Sequence, residues 1–135
     1  MKKTEIEKKK SMEDLKTFED CCIATGRDPE AIQKIFDLIK MVVPKIVADS
    51  KLAIVIEAIN KSIEPDWSNW NEWKYFPRFK VVKDKSKPSG FGLSYYDYFN
   101  SLTYTLVGSR LTFRSLEGLR YAWKQFPDLY EAVYL

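Results

Sequence analysis

The chain has 135 residues, with 22 Lys and Arg, 19 Asp and Glu, and a formal net charge of +3 at pH 7. It contains no histidine, which excludes Ser-His-Asp and Cys-His mechanisms and most zinc sites. No apolar run approaches the ~18–20 residues that span a bilayer, so we expect no membrane association. A length of this order suits one domain, and we predict a single globular domain over residues 11–135.

The N-terminal segment 1–10 differs from the rest, because it carries five lysines and two glutamates and no apolar stretch follows it. We predict a disordered basic tail here rather than a secretory signal. Cys21 and Cys22 are adjacent in the sequence; adjacent cysteines rarely bridge each other, and two thiols alone cannot form a zinc site. Reduced cysteines favour a cytoplasmic location.

The first half of the chain has the periodicity of three helices. Ser11, with an acidic residue three positions on, makes a weak capping box, and Gly26 suits the left-handed residue that ends such a helix. A second helix starts at Asp28-Pro29-Glu30, and its apolar stripe continues until Pro44 breaks it. A third is predicted from about residue 46 to 63. Its apolar face, which we expect to pack on a sheet, consists of Ala48, Leu52, Val55, Ile56, Ile59 and Ile63.

The second half has the composition of strands followed by a helix. Three stretches mix aromatic and β-branched residues as strands do, namely residues 74–83, 91–98 and 104–113. Ser115 then caps a C-terminal helix, which Pro127 kinks or divides into two. We therefore predict an α+β fold with three N-terminal helices, a small antiparallel sheet of about three strands, and a C-terminal helix packed on that sheet.

Three of the four tryptophans recur at intervals of three, as Trp67, Trp70 and Trp73. One turn of helix would place them on the same side, and we favour packing in the core because large aromatic side chains dominate core energetics. Two other interpretations stay open. One is a platform on which bases or another ring-bearing ligand stack, with Trp70 and Trp73 as first candidates, and the other is a protein–protein hot spot.

Positive charge is concentrated in residues 74–124, which hold ten Lys and Arg and only three Asp and Glu. The lysines near the predicted turn are most simply a solvated loop that keeps a sheet edge soluble. Alternatively, Arg78 and Lys80 on one strand and Arg110 and Arg114 on another form two aligned basic rows that follow phosphates. On this alternative the protein binds nucleic acid through the basic, aromatic-rich face of residues 74–124.

No motif in the chain predicts catalysis. Gly90-Phe91-Gly92 lacks the further glycine or lysine of nucleotide-binding loops, and Glu57 and Asp66 are one of many carboxylate pairs that could be drawn for acid–base work. Residues 17–36 resemble a helix-turn-helix unit, but the second helix also offers acidic residues, which favours an ordinary helical hairpin. We predict that the protein is not an enzyme and has no catalytic residue, no cofactor and no metal.

Several stretches between residues 17 and 130 together resemble an uncharacterised family of small proteins from Bacteroides-type bacteria, their phages and mobile elements. They are Thr17-Phe18-Glu19-Asp20, Gly26-Arg27-Asp28-Pro29-Glu30, Pro65-Asp66-Trp67, Lys74-Tyr75-Phe76-Pro77-Arg78-Phe79, Pro88-Ser89-Gly90-Phe91-Gly92, Val107-Gly108-Ser109-Arg110-Leu111-Thr112-Phe113-Arg114-Ser115, Gln125-Phe126 and Leu129-Tyr130. The chain departs from the family at Arg78, Thr112 and Pro127, where members carry an aromatic residue, often a cysteine, and an apolar residue respectively.

The resemblance implies a phage-linked protein, cytoplasmic in a bacterial host or associated with the virion, and it carries over no catalytic residue. From the sequence we therefore predict a small non-enzymatic binding or accessory protein of phage or mobile-element origin. A protein partner is favoured, with nucleic-acid binding as the alternative. The identity of the partner and the oligomeric state stay open.

Overall fold

The computed structural model describes residues 11–103, 105 and 107–135, apart from the side chain of Tyr96. The predicted basic tail, residues 1–10, lies outside the described residues. The helices and strands, in chain order, are α1 (Phe18–Ala24), α2 (Pro29–Lys40), α3 (Pro44–Ile59), β1 (Lys74–Lys83), β2 (Phe91–Ser101), α4 (Leu116–Gln125) and α5 (Pro127–Tyr134). This order confirms the predicted α+β class, with three helices before an antiparallel sheet and helices after it. Within the described residues, no helix combines the length and apolar character needed to cross a membrane.

Capping groups define the starts of the first two helices. The backbone N–H of Ser11 donates to Asp14 Oδ2 at 3.0 Å, but this predicted cap begins only a short 3-10 turn. The helix α1 starts later, where the Asp20 N–H donates to Thr17 Oγ1 at 3.2 Å. Asp28 caps α2 as predicted, accepting from the Glu30 N–H at 3.0 Å, because its side chain satisfies a donor that the first turn leaves unpaired.

The central helix α3 differs from its prediction in both extent and surroundings. It begins at Pro44, since proline is well suited to the first helical position, and it ends at Ile59. Ile63 therefore lies beyond the helix and is 52% exposed, so its assignment to the buried face is wrong. Side chains are buried around α3 on several sides, as in a helix enclosed by a core. It packs against α1, α2, α5, the 3-10 turn Ser109–Leu111 and α4, rather than on the sheet.

The sheet consists of β1 and β2, paired antiparallel from Lys74 opposite Ser101 to Lys83 opposite Phe91. The register shifts between Arg78 and Phe79, which gives β2 one extra residue and a bulge at this point. Among its described residues, the third predicted strand joins the sheet through a bridge in which Phe113 exchanges backbone hydrogen bonds of 2.9 and 2.8 Å with Tyr75.

The C-terminal helices cover one face of the hairpin, as predicted, with α4 against β1 and α5 against β2. The ring of Phe79 on β1 lies 4.8 Å from that of Trp123 and 5.2 Å from that of Tyr130, measured between centroids. Aromatic contacts of this kind add to the stabilisation that burial alone gives. The prediction of two short helices around Pro127 is confirmed, because its missing N–H ends α4 and its fixed φ angle starts α5.

Gly118 lies where α4 meets α3, and a Cβ atom added there would stand 2.7 Å from Ile59 Cγ2. Since a β-branched side chain is stiff at χ1, we expect Gly118→Ala to lower the free energy of unfolding by ~1–3 kcal/mol, as overpacked cores do. This loss outweighs a helix-propensity gain of about 1 kcal/mol. In urea unfolding, Ile59→Leu, which removes the Cγ2 methyl, should rescue part of the loss in a double variant. Strictly additive losses would contradict the contact.

Candidate functional site

Arg78 and Lys80 lie on the side of β1 that faces away from α4 and α5, since alternate strand residues share a face. The guanidinium of Arg78 forms a bidentate ion pair with the carboxylate of Asp97, which lies opposite it on β2. It also lies 5.0 Å from the centroid of the Phe99 ring. Lys80 is exposed opposite Ser94. Of the two predicted phosphate contacts on this strand, Arg78 is therefore already bound by an internal carboxylate.

The other two predicted basic residues are not on a strand. Arg110 is exposed in a 3-10 turn, Ser109–Leu111, and lines a cleft of about 360 Å³ that Glu57 and Glu64 also line. Arg114 places Nη2 3.6 Å from Glu72 Oε2. The two aligned basic rows predicted for the sheet are therefore absent from the described residues, because the second row has no strand to align it.

Lys74, the first residue of the predicted basic face, is fully buried. Its ammonium donates to the backbone oxygens of Asn69 at 3.0 Å and Leu102 at 2.7 Å. It also stands 5.6 Å from the centroid of the Trp67 ring, in a cation–π contact. Lys74 therefore ties two loops to the end of β1 and is not available to a ligand.

The three tryptophans lie in a loop before β1, residues 66–73, which we call the tryptophan loop. Trp67 is partly buried, and its indole N–H donates to Ser109 Oγ at 2.6 Å. Trp70 is 68% exposed and Trp73 is 48% exposed, so the prediction that all three pack in the core is wrong. A turn of helix does not form here, and the spacing of three therefore does not place the indoles on one side.

One concave site was not predicted from the sequence. A groove of about 510 Å³ lies between α2, α3 and the junction of α4 with α5. Its apolar lining comes from Phe18, Phe36, Val47, Phe126 and Leu129. A volume of this size falls within the range of about 300–1,000 Å³ typical of ligand sites.

Polar groups stand along the rim of this groove. The Gln33 amide donates to Asp37 Oδ1 at 2.8 Å, which satisfies part of that carboxylate. The Lys51 ammonium lies 5.3 Å from the centroid of the Phe18 ring, and Lys40 lines the groove beside Asp37. Asp128 completes the charged rim.

An exposed apolar surface adjoins the groove at the end of α2 and the turn into α3. Its members are Ile35, Leu38, Met41, Val42, Val43 and Ile46, with Met41 the most exposed at 83%. Pro44, in the same turn, lines the groove. We call these six residues the α2–α3 apolar surface. A sequence signal for it exists, because residues 35–46 carry more apolar side chains than one buried helix face can use.

The two carboxylates considered for acid–base work have separate partners. Glu57 Oε2 accepts from Arg27 Nη1 at 2.6 Å, and Asp66 Oδ1 accepts from the hydroxyl and N–H of Ser68 at 2.6 and 3.0 Å. Cys21 and Cys22 are both buried as free thiols. Burial and the neighbouring Asp20 raise the pKa of Cys21 to about 12, so this thiol stays protonated and unreactive at neutral pH.

Compared with known proteins, the chain matches no protein-family model, no curated protein and no solved structure. The resemblance noted in the sequence therefore stays a prediction.

Proposed function

We propose that this chain is a small non-enzymatic binding protein whose groove, together with the α2–α3 apolar surface, holds a segment of a protein partner. The observation that carries the proposal is the continuity of the two features, since Pro44, the first residue of α3, follows Val43 of the apolar surface and also lines the groove. Six large apolar side chains exposed within residues 35–46 form a local concentration of the kind that marks interaction sites.

The shape favours a helical segment as the occupant. The groove has helices on its sides, and an amphipathic helix can lay its apolar face between them, which is a common mode of peptide recognition. Phe36 and Val47 are buried in its lining and belong to the core cluster, so the base of the groove is preformed by packing. A rigid site loses less entropy when it binds.

Charge points to an acidic partner. Lys40 and Lys51 line the groove, and Lys45 lies beside Pro44, where its ammonium donates to the Ala132 oxygen at 3.1 Å. None of the three lysines forms an ion pair among the described residues. The same rim carries Asp128 and Asp37, and Gln33 satisfies part of the Asp37 carboxylate. The three lysines outnumber these two carboxylates, so a helix whose apolar stripe is flanked by Asp or Glu suits the rim better than one flanked by Lys or Arg.

Selection from a displayed library of helical peptides tests this function. We expect the enriched sequences to carry apolar residues at i, i+3 or i+4, and i+7, with Asp or Glu beside them. Met41→Asp removes apolar area and adds a repelling charge, so it should weaken binding of a selected peptide at least about tenfold, or by ~1.4 kcal/mol. Binding is measured by calorimetry.

Ile63→Asp is the matched control, because Ile63 is also an exposed apolar residue but lies outside both the groove and the α2–α3 apolar surface. The affinity of this variant for the peptide should stay unchanged. Selection of basic peptides, or equal losses in both variants, would refute the proposal. Self-association of the wild type that Met41→Asp abolishes would instead make a second copy the occupant.

The nucleic-acid alternative has less support. Arg78 and Arg114 are paired with Asp97 and Glu72, and Lys74 is buried. Of the four candidate phosphate contacts Arg78, Lys80, Arg110 and Arg114, Lys80 and Arg110 therefore remain, and they lie on separate elements. Phosphate-tracking proteins align several free cations along the backbone of the nucleic acid, so this arrangement favours a protein partner.

We further propose a phage or mobile-element origin and a location in the bacterial cytoplasm or a virion. The family resemblance supports the origin. Two adjacent buried thiols that form no disulfide support a reducing compartment.

A further inference from the structure

The tryptophan loop is held in place by its own side chains. The Asp66 N–H donates to Glu72 Oε1 at 3.0 Å, and the Asn71 N–H donates to Asn69 Oδ1 at 2.9 Å. The Lys74 ammonium donates to the backbone oxygen of Asn69. The exposed indoles of Trp70 and Trp73 thus project from an ordered loop, and exposed tryptophan on an ordered support is a common hot spot of recognition.

The loop already contains one cation–π contact, between the Lys74 ammonium and the Trp67 ring at 5.6 Å. Trp70 and Trp73 have no such cation among the described residues. The face of an indole carries negative potential and attracts a guanidinium or ammonium group. The exposed rings of Trp70 and Trp73 can therefore accept a cation from a ligand.

The acidic residues of the same stretch of chain favour a cationic ligand over an anionic one. Residues 64–73 include three acids and no Lys or Arg. Among the neighbouring cations, Arg114 is paired with Glu72, and Lys74 is buried and held by two backbone oxygens. Arg110 is exposed and shares its cleft with Glu64. Asp66 is exposed and forms no ion pair among the described residues.

We propose that the tryptophan loop is a second binding site, which takes arginine side chains of a basic peptide segment on Trp70 and Trp73, with Asp66 as the counter-charge. Arginine suits the site because its planar guanidinium stacks on aromatic faces and donates to carboxylates at the same time. None of the loop residues lines the groove, so the site is independent of the proposed groove function. A polyphosphate chain is disfavoured by the same carboxylate.

The test uses the full chain and a short capped peptide that alternates arginine with glycine. We expect saturable binding by calorimetry, which weakens as salt rises. The same peptide with citrulline in place of arginine keeps the shape without the charge and should bind at least about tenfold more weakly. Trp70→Ala should weaken binding of the arginine peptide on the order of two- to thirty-fold, the range that cation–π contacts span.

Phe91→Ala is the matched control, because Phe91 is an exposed aromatic residue at the far end of the hairpin; it should leave the affinity unchanged. Asp66→Asn keeps an oxygen that can accept from Ser68 and should weaken binding several-fold. Melting curves check that each variant is folded. We expect Trp70→Ala to stay folded, because Trp70 is exposed and its truncation removes little buried surface. No saturable binding, equal binding of the citrulline peptide, or tighter binding of single-stranded oligothymidine would overturn the proposal, and the last would support base stacking instead.

Discussion

Ile56→Ala is expected to lower the free energy of unfolding by about 2–5 kcal/mol, the usual cost of truncating a buried isoleucine. Ile56 is 1% exposed and lies in α3, the helix that the other four helices surround. The lost methyl groups leave a cavity that the rigid neighbours cannot close, which adds to the lost transfer free energy. Equilibrium unfolding in urea measures the effect.

Ile63→Ala is the matched control for this prediction. The same chemical change at an exposed position outside the helix should cost less than about 0.5 kcal/mol. Losses of similar size at Ile56 and Ile63 would mean that Ile63 belongs to the core after all and that α3 ends later than residue 59.

Lys74→Met is expected to lower the free energy of unfolding by about 2–4 kcal/mol. It removes two charge-assisted hydrogen bonds, each worth ~1.5–3 kcal/mol, and relief from burying the ammonium group offsets part of that loss. The backbone oxygens of Asn69 and Leu102 would lose their common donor. Methionine keeps most of the apolar volume, so the loss reports the ammonium group. We also expect faster proteolysis within residues 64–73, since the tryptophan loop loses its anchor.

Lys80→Met provides the comparison on the same strand. Lys80 is exposed, and its substitution should change stability by less than about 0.5 kcal/mol. A Lys74→Met protein as stable and as protease-resistant as Lys80→Met would show that the two backbone contacts of Lys74 do not hold the loop.

Several elements follow from local sequence alone. Asp28-Pro29-Glu30 starts α2, Gly26 ends α1 with a φ of 76°, and Pro127 divides the C-terminal helices. Each is decided within a few residues, because proline restricts φ, glycine permits positive φ, and a short polar side chain caps the nearest N–H groups. The α+β order followed from such signals together with hydrophobic periodicity.

Other features depend on contacts between residues distant in the chain. Lys74 and Lys80 are both lysines on one strand, but only Lys74 is covered, by loops that reach it from residues 69 and 102. The cation of Arg78 is neutralised by Asp97 only because the two strands adopt this register. A sequence gives the charge of each residue but not the residue that neutralises it. Whether Arg78 is free to bind a ligand therefore depends on the register of the two strands.

The candidate sites also combine features that local sequence determines with features that tertiary contacts determine. Amphipathic periodicity identified α2 and α3, and an excess of apolar residues near position 41 was visible in the sequence. The groove itself required α5 to lie against α3, and that contact joins residues far apart in the chain. Trp70 is exposed because its loop is closed by local hydrogen bonds and no helix forms. Tertiary structure decides such burial, because a large aromatic residue is equally suited to a core and to a binding surface.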